Sequence, residues 1–325
     1  MKKVKLNITS IFLGFVALLI LACSGSNQKS DSRDVKGVIG ITIMSSENPF
    51  FNVLAKAAEA KAKENGYEVQ ILSGDNDPEK QDRQVKDFIS KKVSAIIISP
   101  CNAHAIGASI KSANQAGIPV FMADTGCTDP TAKVVSTIAT ANYQGGLQAG
   151  EGMIELLGGK GGEVLVLDFK PAESCLQRVA GFKEVVNEYN EKNPEARIEI
   201  VKELQSGGRR DIANQSTSDA LQAHPNLAAI FAINDPAALG AYAALEKAGR
   251  QDEVDIIGFD GMPEGKQAIK EGKIYADPIQ FPDQIGEMTV QAILDYFDGK
   301  EVASAIDIPT YLYKKADADK DQTLN

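Results

Sequence analysis

Residues Ala228–Gly249, AAIFAINDPAALGAYAALEKAG, decide the fold class. The stretch begins with the short apolar run Ala228–Ile233, which is typical of a buried strand. Asp235 and Pro236 suit an N-cap and the first helical position, so we predict a helix that starts there and ends at Gly249. The stretch is therefore a strand-to-helix unit, and its polar residues stand where open α/β sheets bind ligands.

The same arrangement recurs at two other places in the chain. The predicted strand Val120–Ala123 is followed by Asp124, and the predicted strand Val254–Phe259 is followed by Asp260. The carboxyl ends of parallel strands meet at one edge of a sheet, so we expect Asn234 and the two aspartates to line a ligand-binding cleft.

Strand and helix patterns alternate from Val38 to the end of the chain. Helical stretches of about 10–16 residues between strands indicate βαβ units and parallel sheets covered on both faces. The pattern restarts after the fourth strand, so the predicted fold class is α/β with two doubly wound parallel-sheet lobes. The predicted strands are Val38–Met44, Val69–Leu72, Ser94–Ser99, Val120–Ala123, Val164–Leu167, Ile198–Val201, Ala228–Ile233, Val254–Phe259, Asp277–Gln280 and Ile306–Pro309.

The composition is acidic and otherwise that of an ordinary globular protein. The 325 residues contain 34 Lys and Arg against 44 Asp and Glu, a formal net charge of −10. Phosphate contacts dominate nucleic-acid affinity, so an acidic chain without a basic block is not expected to bind nucleic acid.

The N-terminus has the pattern of a targeting segment. Residues 1–23 combine early lysines with the apolar run Ile11–Leu21 and end at Cys23, as in a bacterial lipoprotein signal peptide. We predict lipidation at Cys23, a flexible tether over residues 24–36 and an extracytoplasmic, membrane-anchored protein. A transmembrane anchor is the alternative, but the run is shorter than the roughly 20 residues that span a bilayer.

Few residues offer chemistry outside the predicted cleft. Cys101 and Cys127 either form a disulfide or, with Cys175, are small buried thiols. His104 and His224 are too few and too far apart for a metal site. No nucleophile motif is present, so we expect neither an enzyme nor a bound cofactor or metal.

Four motifs in order carry a resemblance: Glu47–Phe51, Ile233–Asp235, Ile257–Gly261 and Phe281–Gly286. On these motifs the chain, from Gly37 onward, resembles the periplasmic ribose-binding proteins and their sugar-binding relatives, the solute receptors of bacterial ABC transporters. The resemblance implies a monomeric two-lobed clamp that closes on a sugar and delivers it to a permease and its ATPase. It places three chain crossings, near Thr140, Gln280 and Pro309, between lobes of residues 37–140 plus 281–309 and 141–280 plus 310–325.

The resemblance also implies the ligand contacts. The matching positions are Asn48, Phe50, Phe51, Asp124, Arg178, Asn234, Asp260 and Gln280, together with Thr125. Their chemistry suits a sugar, because aromatic rings cover C–H faces while planar polar groups span neighbouring hydroxyls. Taken alone, the residues leave other roles open: core packing for Phe50 and Phe51, N-caps for Asp124 and Asp260, and a surface salt bridge for Arg178.

Three positions depart from the ribose receptors. Met44 replaces Ser, Thr125 replaces Arg and Gly208 replaces an aromatic residue; Arg209 or Arg210 could fill the space at Gly208 or remain in solvent. Another monosaccharide or a polyol such as inositol therefore fits as well as ribose. A sugar sensor that feeds a chemotaxis receptor or sensor kinase is the alternative function.

Overall fold

The computed structural model describes residues 35–324. Its strands are β1 Gly37–Ile43, β2 Tyr67–Ser73, β3 Ala95–Ile98, β4 Val120–Ala123, β5 Ser136–Thr140, β6 Gly162–Asp168, β7 Ile198–Gln205, β8 Leu227–Ala232, β9 Asp255–Ile257, β10 Ala276–Pro278, β11 Ala305–Ile308 and β12 Leu312–Lys314. Its helices are α1 Pro49–Glu64, α2 Pro78–Ser90, α3 Ile106–Gln115, α4 Asn142–Leu156, α5 Glu173–Lys192, α6 Arg210–Ala223, α7 Asp235–Ala248, α8 Pro263–Lys270, α9 Pro282–Phe297 and α10 Lys315–Ala318.

The elements form two α/β lobes, which confirms the predicted fold class. The sheet of the first lobe is entirely parallel, in the order β11-β5-β4-β3-β1-β2. The sheet of the second lobe has the order β12-β10-β9-β8-β6-β7 and is parallel except for the β10–β12 pair. Helices α1, α2, α3 and α9 pack on the first sheet or on one another, and the remaining helices belong to the second lobe.

The chain passes between the lobes three times. It leaves the first sheet after Thr140, returns between Pro278 and Pro282, and enters the second sheet again between Ile308 and Leu312. Each lobe therefore contains segments that are distant in sequence, and the connecting segments lie side by side at one end of the cleft.

Two strands and one helix escaped the sequence pattern. Strand β5 is mostly buried although it contains hydroxyl side chains, and these find partners: Ser136 Oγ donates to the Ala303 carbonyl and Thr140 Oγ1 donates to Gln280 Oε1. Paired hydroxyls can be buried without cost to the sheet, but they hide a strand from an apolar pattern. Strand β12 and helix α10 are only three and four residues long.

Helix α7 begins differently from the prediction. Asn234 is its N-cap, and the Asn234 Oδ1 atom accepts the Ala237 N–H at 2.9 Å. Asp235 is already helical, and its Oδ2 atom accepts the Met262 N–H at 2.6 Å. The predicted N-cap at Asp235 is therefore wrong by one residue, because the carboxylate satisfies a neighbouring loop instead.

The predicted signal peptide, Cys23 and almost all of the tether lie outside the described residues. Within the described part, Cys101 and Cys175 are buried free thiols and Cys127 is a partly buried one, so the structure contains no Cys101–Cys127 disulfide. No helix over residues 35–324 is long and apolar enough to cross a membrane.

Helices α4 and α5 approach each other so closely that only glycine fits between them. A Cβ atom on Gly146 would lie 2.2 Å from the Arg178 carbonyl oxygen, and one on Gly181 would lie 2.3 Å from the Tyr143 carbonyl oxygen. Backbone atoms cannot move aside as a flexible side chain can. The position of Arg178 in the cleft therefore depends on this glycine contact.

We predict that Gly146→Ala lowers the free energy of unfolding by about 1–3 kcal/mol, because the methyl group overpacks against the backbone of α5. Gly152→Ala on the same helix is the matched control, since its Cβ would meet only side-chain atoms of Leu312 and Ile257 at 3.0–3.1 Å. Urea unfolding of both variants makes the comparison. Equal stability of the two variants would contradict the account of the α4–α5 contact.

Candidate functional site

A cavity of about 320 Å³ lies between the lobes, at the carboxyl ends of the parallel strands. The structure brings the predicted ligand residues together there, with one exception. Those that line the cavity are Asn48, Phe50, Phe51, Asp124, Arg178, Asn234, Asp260 and Gln280, whereas Thr125 does not.

The start of helix α1 forms one wall of the cavity. Asn48 is the N-cap, and its Oδ1 atom accepts the Phe50 N–H at 3.0 Å, which leaves the Nδ2 amide for a ligand. The rings of Phe50 and Phe51 stand edge to face with centroids 5.3 Å apart. Both rings are nearly buried and line the cavity, so they serve the core and the site together.

Arg178 of helix α5 is the buried cation of the opposite wall. Its Nε atom donates to Asn142 Oδ1 at 2.8 Å, and its Nη1 atom donates to the Ile233 carbonyl at 2.7 Å. The same Nη1 lies 3.3 Å from Asp260 Oδ1, and the guanidinium carbon lies 3.9 Å from the centroid of the Phe259 ring. The side chain is only 4% exposed, so Arg178 is a buried ion pair and not a surface salt bridge.

Gln280 connects the crossing segments to this ion pair. Its Nε2 atom donates to Asp260 Oδ1 at 2.6 Å, and its Oε1 atom accepts the Thr140 hydroxyl at 2.8 Å. Thr140 ends the last strand of the first lobe before the chain crosses, and Asp260 belongs to the second lobe. The hydrogen-bond chain therefore runs from one lobe to the other through the base of the cleft.

Asp124 and Asp260 both have backbone φ angles in the left-handed region, +73° and +103°. Neither caps a helix. Left-handed backbone costs a residue other than glycine about 1–2 kcal/mol, and such strain concentrates at functional sites. Among residues 35–324, Asp75, Asn76 and Lys92 also have positive φ angles, and of these only Asn76 lines the cavity.

The same two aspartates carry unsatisfied acceptors. Asp124 Oδ1 and Asp260 Oδ2 are buried and find no hydrogen-bond partner among residues 35–324. Burial raises the pKa of Asp124 to about 7; Arg178 lowers it, while Asp260 and Glu173 add to the rise. Burial likewise raises the pKa of Asp260 to about 6, against the opposing effects of Arg178 and Gln280. The two oxygens are therefore acceptors that a hydrogen-bond donor could satisfy.

Charged side chains surround the mouth of the cavity. Arg209 forms a two-point ion pair with Asp211, at 2.9 and 3.0 Å, and approaches Glu47 of the first lobe at 3.9 Å. Arg210 pairs with Glu264 at 2.8 Å. Neither arginine replaces the missing aromatic in the interior, because both remain substantially exposed in ion pairs at the mouth.

Asp235, which lines the cavity, and Asp277, which does not, form a second group of buried carboxyls. Both carboxyls are buried, and burial raises the pKa of Asp277 to about 7. Burial, followed by the charge of Asp277, raises the pKa of Asp235 well above its usual range. This proximity was not predicted, because the two residues lie on different elements, α7 and β10.

Thr125 and several cavity residues were not anticipated in these positions. Thr125 is fully buried, and its Oγ1 atom accepts the Ser174 N–H at 3.1 Å.

Asn76 and Phe169, each just after a strand end, line the cavity. Placement at a strand end was the signal that could have identified both of them. Phe169 adds an aromatic ring beside Gly208, whose Cβ would lie 4.0 Å from that ring.

We predict that ligand affinity rises about twentyfold from pH 6 to pH 8. About tenfold comes from Asp124, whose ionised fraction rises from about one-eleventh to about ten-elevenths, and about twofold from Asp260, whose ionised fraction rises from about one-half to nearly one. The sign follows because ligand hydroxyls stabilise the ionised carboxylate, so the complex has the lower pKa. In Asp124→Asn the rise should shrink to about twofold, from Asp260 alone. Calorimetric titration across this range makes the test, and an affinity that falls with pH would contradict it.

Comparison with known proteins agrees with this geometry. A family model described as a periplasmic binding protein domain matches residues 39–301. The ribose import binding protein RbsB of Bacillus subtilis (strain 168) is 31% identical over 309 residues, which are 93% of this chain and 97% of that protein. Relatives this similar over nearly the whole length show the family.

Two solved structures have the same fold. An ABC transporter solute-binding protein from Bacillus halodurans C-125 with bound myo-inositol is 26% identical, has a TM-score of 0.78, and covers 87% of this chain and 96% of its own. The fructose-binding periplasmic domain of a hybrid two-component system is 25% identical and has a TM-score of 0.80. The match covers 87% of this chain and 92% of that one. The chain therefore belongs to the extracytoplasmic periplasmic binding protein family, in its ribose-binding-like, sugar-binding branch, whose members are solute-binding proteins and not enzymes.

Proposed function

We propose that the protein captures a monosaccharide or a cyclic polyol between its lobes and delivers it to an ABC importer. The observation that carries the proposal is the pair of buried, unpartnered acceptors, Asp124 Oδ1 and Asp260 Oδ2, beside the rings of Phe50 and Phe51. Hydroxyl groups satisfy the acceptors, and the rings cover the C–H face of the ligand. A sugar offers both surfaces in one small molecule.

The charges of the cavity support a neutral ligand. Arg178 is the buried cation of the wall, and its guanidinium already binds Asp260, Asn142 and the Ile233 carbonyl. Within residues 35–324, the other two arginines that line the cavity, Arg209 and Arg210, are paired with carboxylates at its mouth. A ligand carboxylate or phosphate would therefore meet Asp124 and Asp260 without an unpaired arginine to balance its charge. Neutral sugars and polyols therefore fit better than sugar acids or sugar phosphates.

Import is supported by the relatives. One is a ribose import binding protein and another is an ABC transporter solute-binding protein. In the proposed cycle, the segments 37–140 plus 281–309 and 141–280 plus 310–325 move as two bodies about the three crossings, as a monomer, and the closed form docks on the permease.

A sensory role is the second candidate. The fructose-binding domain of a hybrid two-component system shares this fold, so the same clamp can serve a sensor kinase. Binding and closure would be identical, and only the partner of the closed form would differ. Loss of sugar uptake after deletion of the gene favours import, whereas loss of a transcriptional response with normal uptake favours sensing.

Titration of the purified protein with ribose, xylose, fructose, galactose, myo-inositol and sugar alcohols tests the proposal. We expect saturable calorimetric binding of one compound. Absence of heat with every compound would contradict sugar binding.

We predict that Asn48→Ser weakens this binding about three- to tenfold, because it removes the Nδ2 donor but keeps an oxygen that can cap α1. Asn52→Ser is the matched control: Asn52 lies on the same helix, donates to the Ser46 carbonyl and does not line the cavity. Equal affinity of the two variants would contradict the assignment of Asn48 as a ligand contact. Circular dichroism melting of both variants checks that the cap is retained.

We also propose that Cys23 carries the lipid anchor and that residues 24–36 tether the lobes to the membrane. The basis is the sequence Ile20-Leu21-Ala22-Cys23 after an apolar run, followed by a polar segment. We predict that Cys23→Ser abolishes incorporation of labelled palmitate and releases the protein from the membrane fraction. Continued labelling of the Ser variant would contradict the assignment.

A further inference from the structure

Helix α5, which carries Arg178, has no cap within its own lobe. Ala172 occupies the N-cap position and offers no side-chain acceptor. The first N–H groups of a helix have no intrahelical partner, and an N-cap oxygen normally accepts the second or third of them. In α5 the second helical residue is Ser174, which is buried at 2% exposure and so cannot turn to water for a partner.

The missing cap comes from the opposite lobe. Thr125 follows strand β4 of the first lobe, and its Oγ1 atom accepts the Ser174 N–H at 3.1 Å. Thr125 itself is fully buried. The residue therefore performs, across the cleft, the function that an N-cap performs within a helix.

A second hydrogen bond holds the same loop. The Pro171 carbonyl accepts the Ala103 N–H of the first lobe at 2.9 Å. The segment 169–174, which contains this loop and the first residues of α5, also forms part of the cavity wall through Phe169, Ala172 and Ser174. One short segment thus lines the cavity on one side and contacts the opposite lobe on the other.

We propose that Thr125 is the closure residue of the clamp: it caps helix α5 only when the lobes are closed, and so couples ligand capture to closure. The inference rests on the proposed function, because it presumes that the lobes open and close. When they separate, the Ser174 N–H passes to water and Thr125 leaves with the first lobe. The hydrogen bond therefore favours the closed state and contributes to affinity without contact between Thr125 and the ligand.

The test compares Thr125→Val, which keeps the shape and loses the acceptor, with Thr125→Ser, which keeps the oxygen. We expect the Val variant to bind its sugar about fivefold more weakly, the effect of removing a helix cap. The Ser variant should bind like the wild type. The ligands are ribose, fructose and myo-inositol, measured by calorimetry, and Thr125→Ala is a second variant without the hydroxyl.

Small-angle scattering of the ligand-free proteins supplies an independent measurement. A larger radius of gyration for the Val variant alone, or its weaker binding alone, supports the inference, provided that the Ser variant matches the wild type. A Val variant that matches the wild type in both measurements overturns it, as do equal changes in the Val and Ser variants. A wild type that binds none of the three sugars counts against the proposed ligands, whereas the radius still tests the closure residue.

Discussion

A guanidinium group removed from water has to be paired and hydrogen-bonded, and the cleft is built around meeting that requirement at Arg178. Its partners come from the start of α4, the end of β8 and the loop after β9. Removing any single partner would leave the buried charge of Arg178 less well compensated in a low-dielectric interior, and this would destabilise the fold. The ion pair therefore fixes the relative positions of these elements.

Two sets of contacts connect Arg178 to the rest of the fold. Toward the crossings, Asp260 binds Gln280, which accepts a hydrogen bond from Thr140 of the other lobe. Toward the helix interface, the glycine contact between α4 and α5 lets Arg178 reach the cleft. Asp260 uses one oxygen for this network, and its other oxygen and Asp124 Oδ1 have no hydrogen-bond partner among residues 35–324.

The sequence predicted the features that follow from local pattern. Alternating apolar runs and helix caps predicted two α/β lobes, and placement at strand ends predicted that Asn234, Asp124 and Asp260 line one cleft. The expectation of a single sheet edge was wrong, because Asp124 follows a strand of the first sheet and the other two follow strands of the second. Aromatic and arginine positions in the cavity came from the family resemblance and not from the pattern. Features that depend on tertiary pairing were missed, such as β5, whose buried hydroxyls find distant partners.

The contact between Thr125 and Ser174 shows why the remainder could not be predicted. The resemblance placed Thr125 in the ligand site, where the family has an arginine, and the shorter side chain instead meets the opposite lobe. The buried carboxyls of Asp235 and Asp277 are a similar case, because they come from two separate elements, α7 and β10. Spacing along the chain contains no information about such contacts between separate elements.

A crystal structure of the protein with its sugar bound would test the central claim most directly. The account predicts a sugar between Phe50–Phe51 and Phe169, with its hydroxyls donating to Asp124 Oδ1 and Asp260 Oδ2. A sugar bound elsewhere, or one in this cleft that leaves both carboxylate oxygens without a donor, would contradict it.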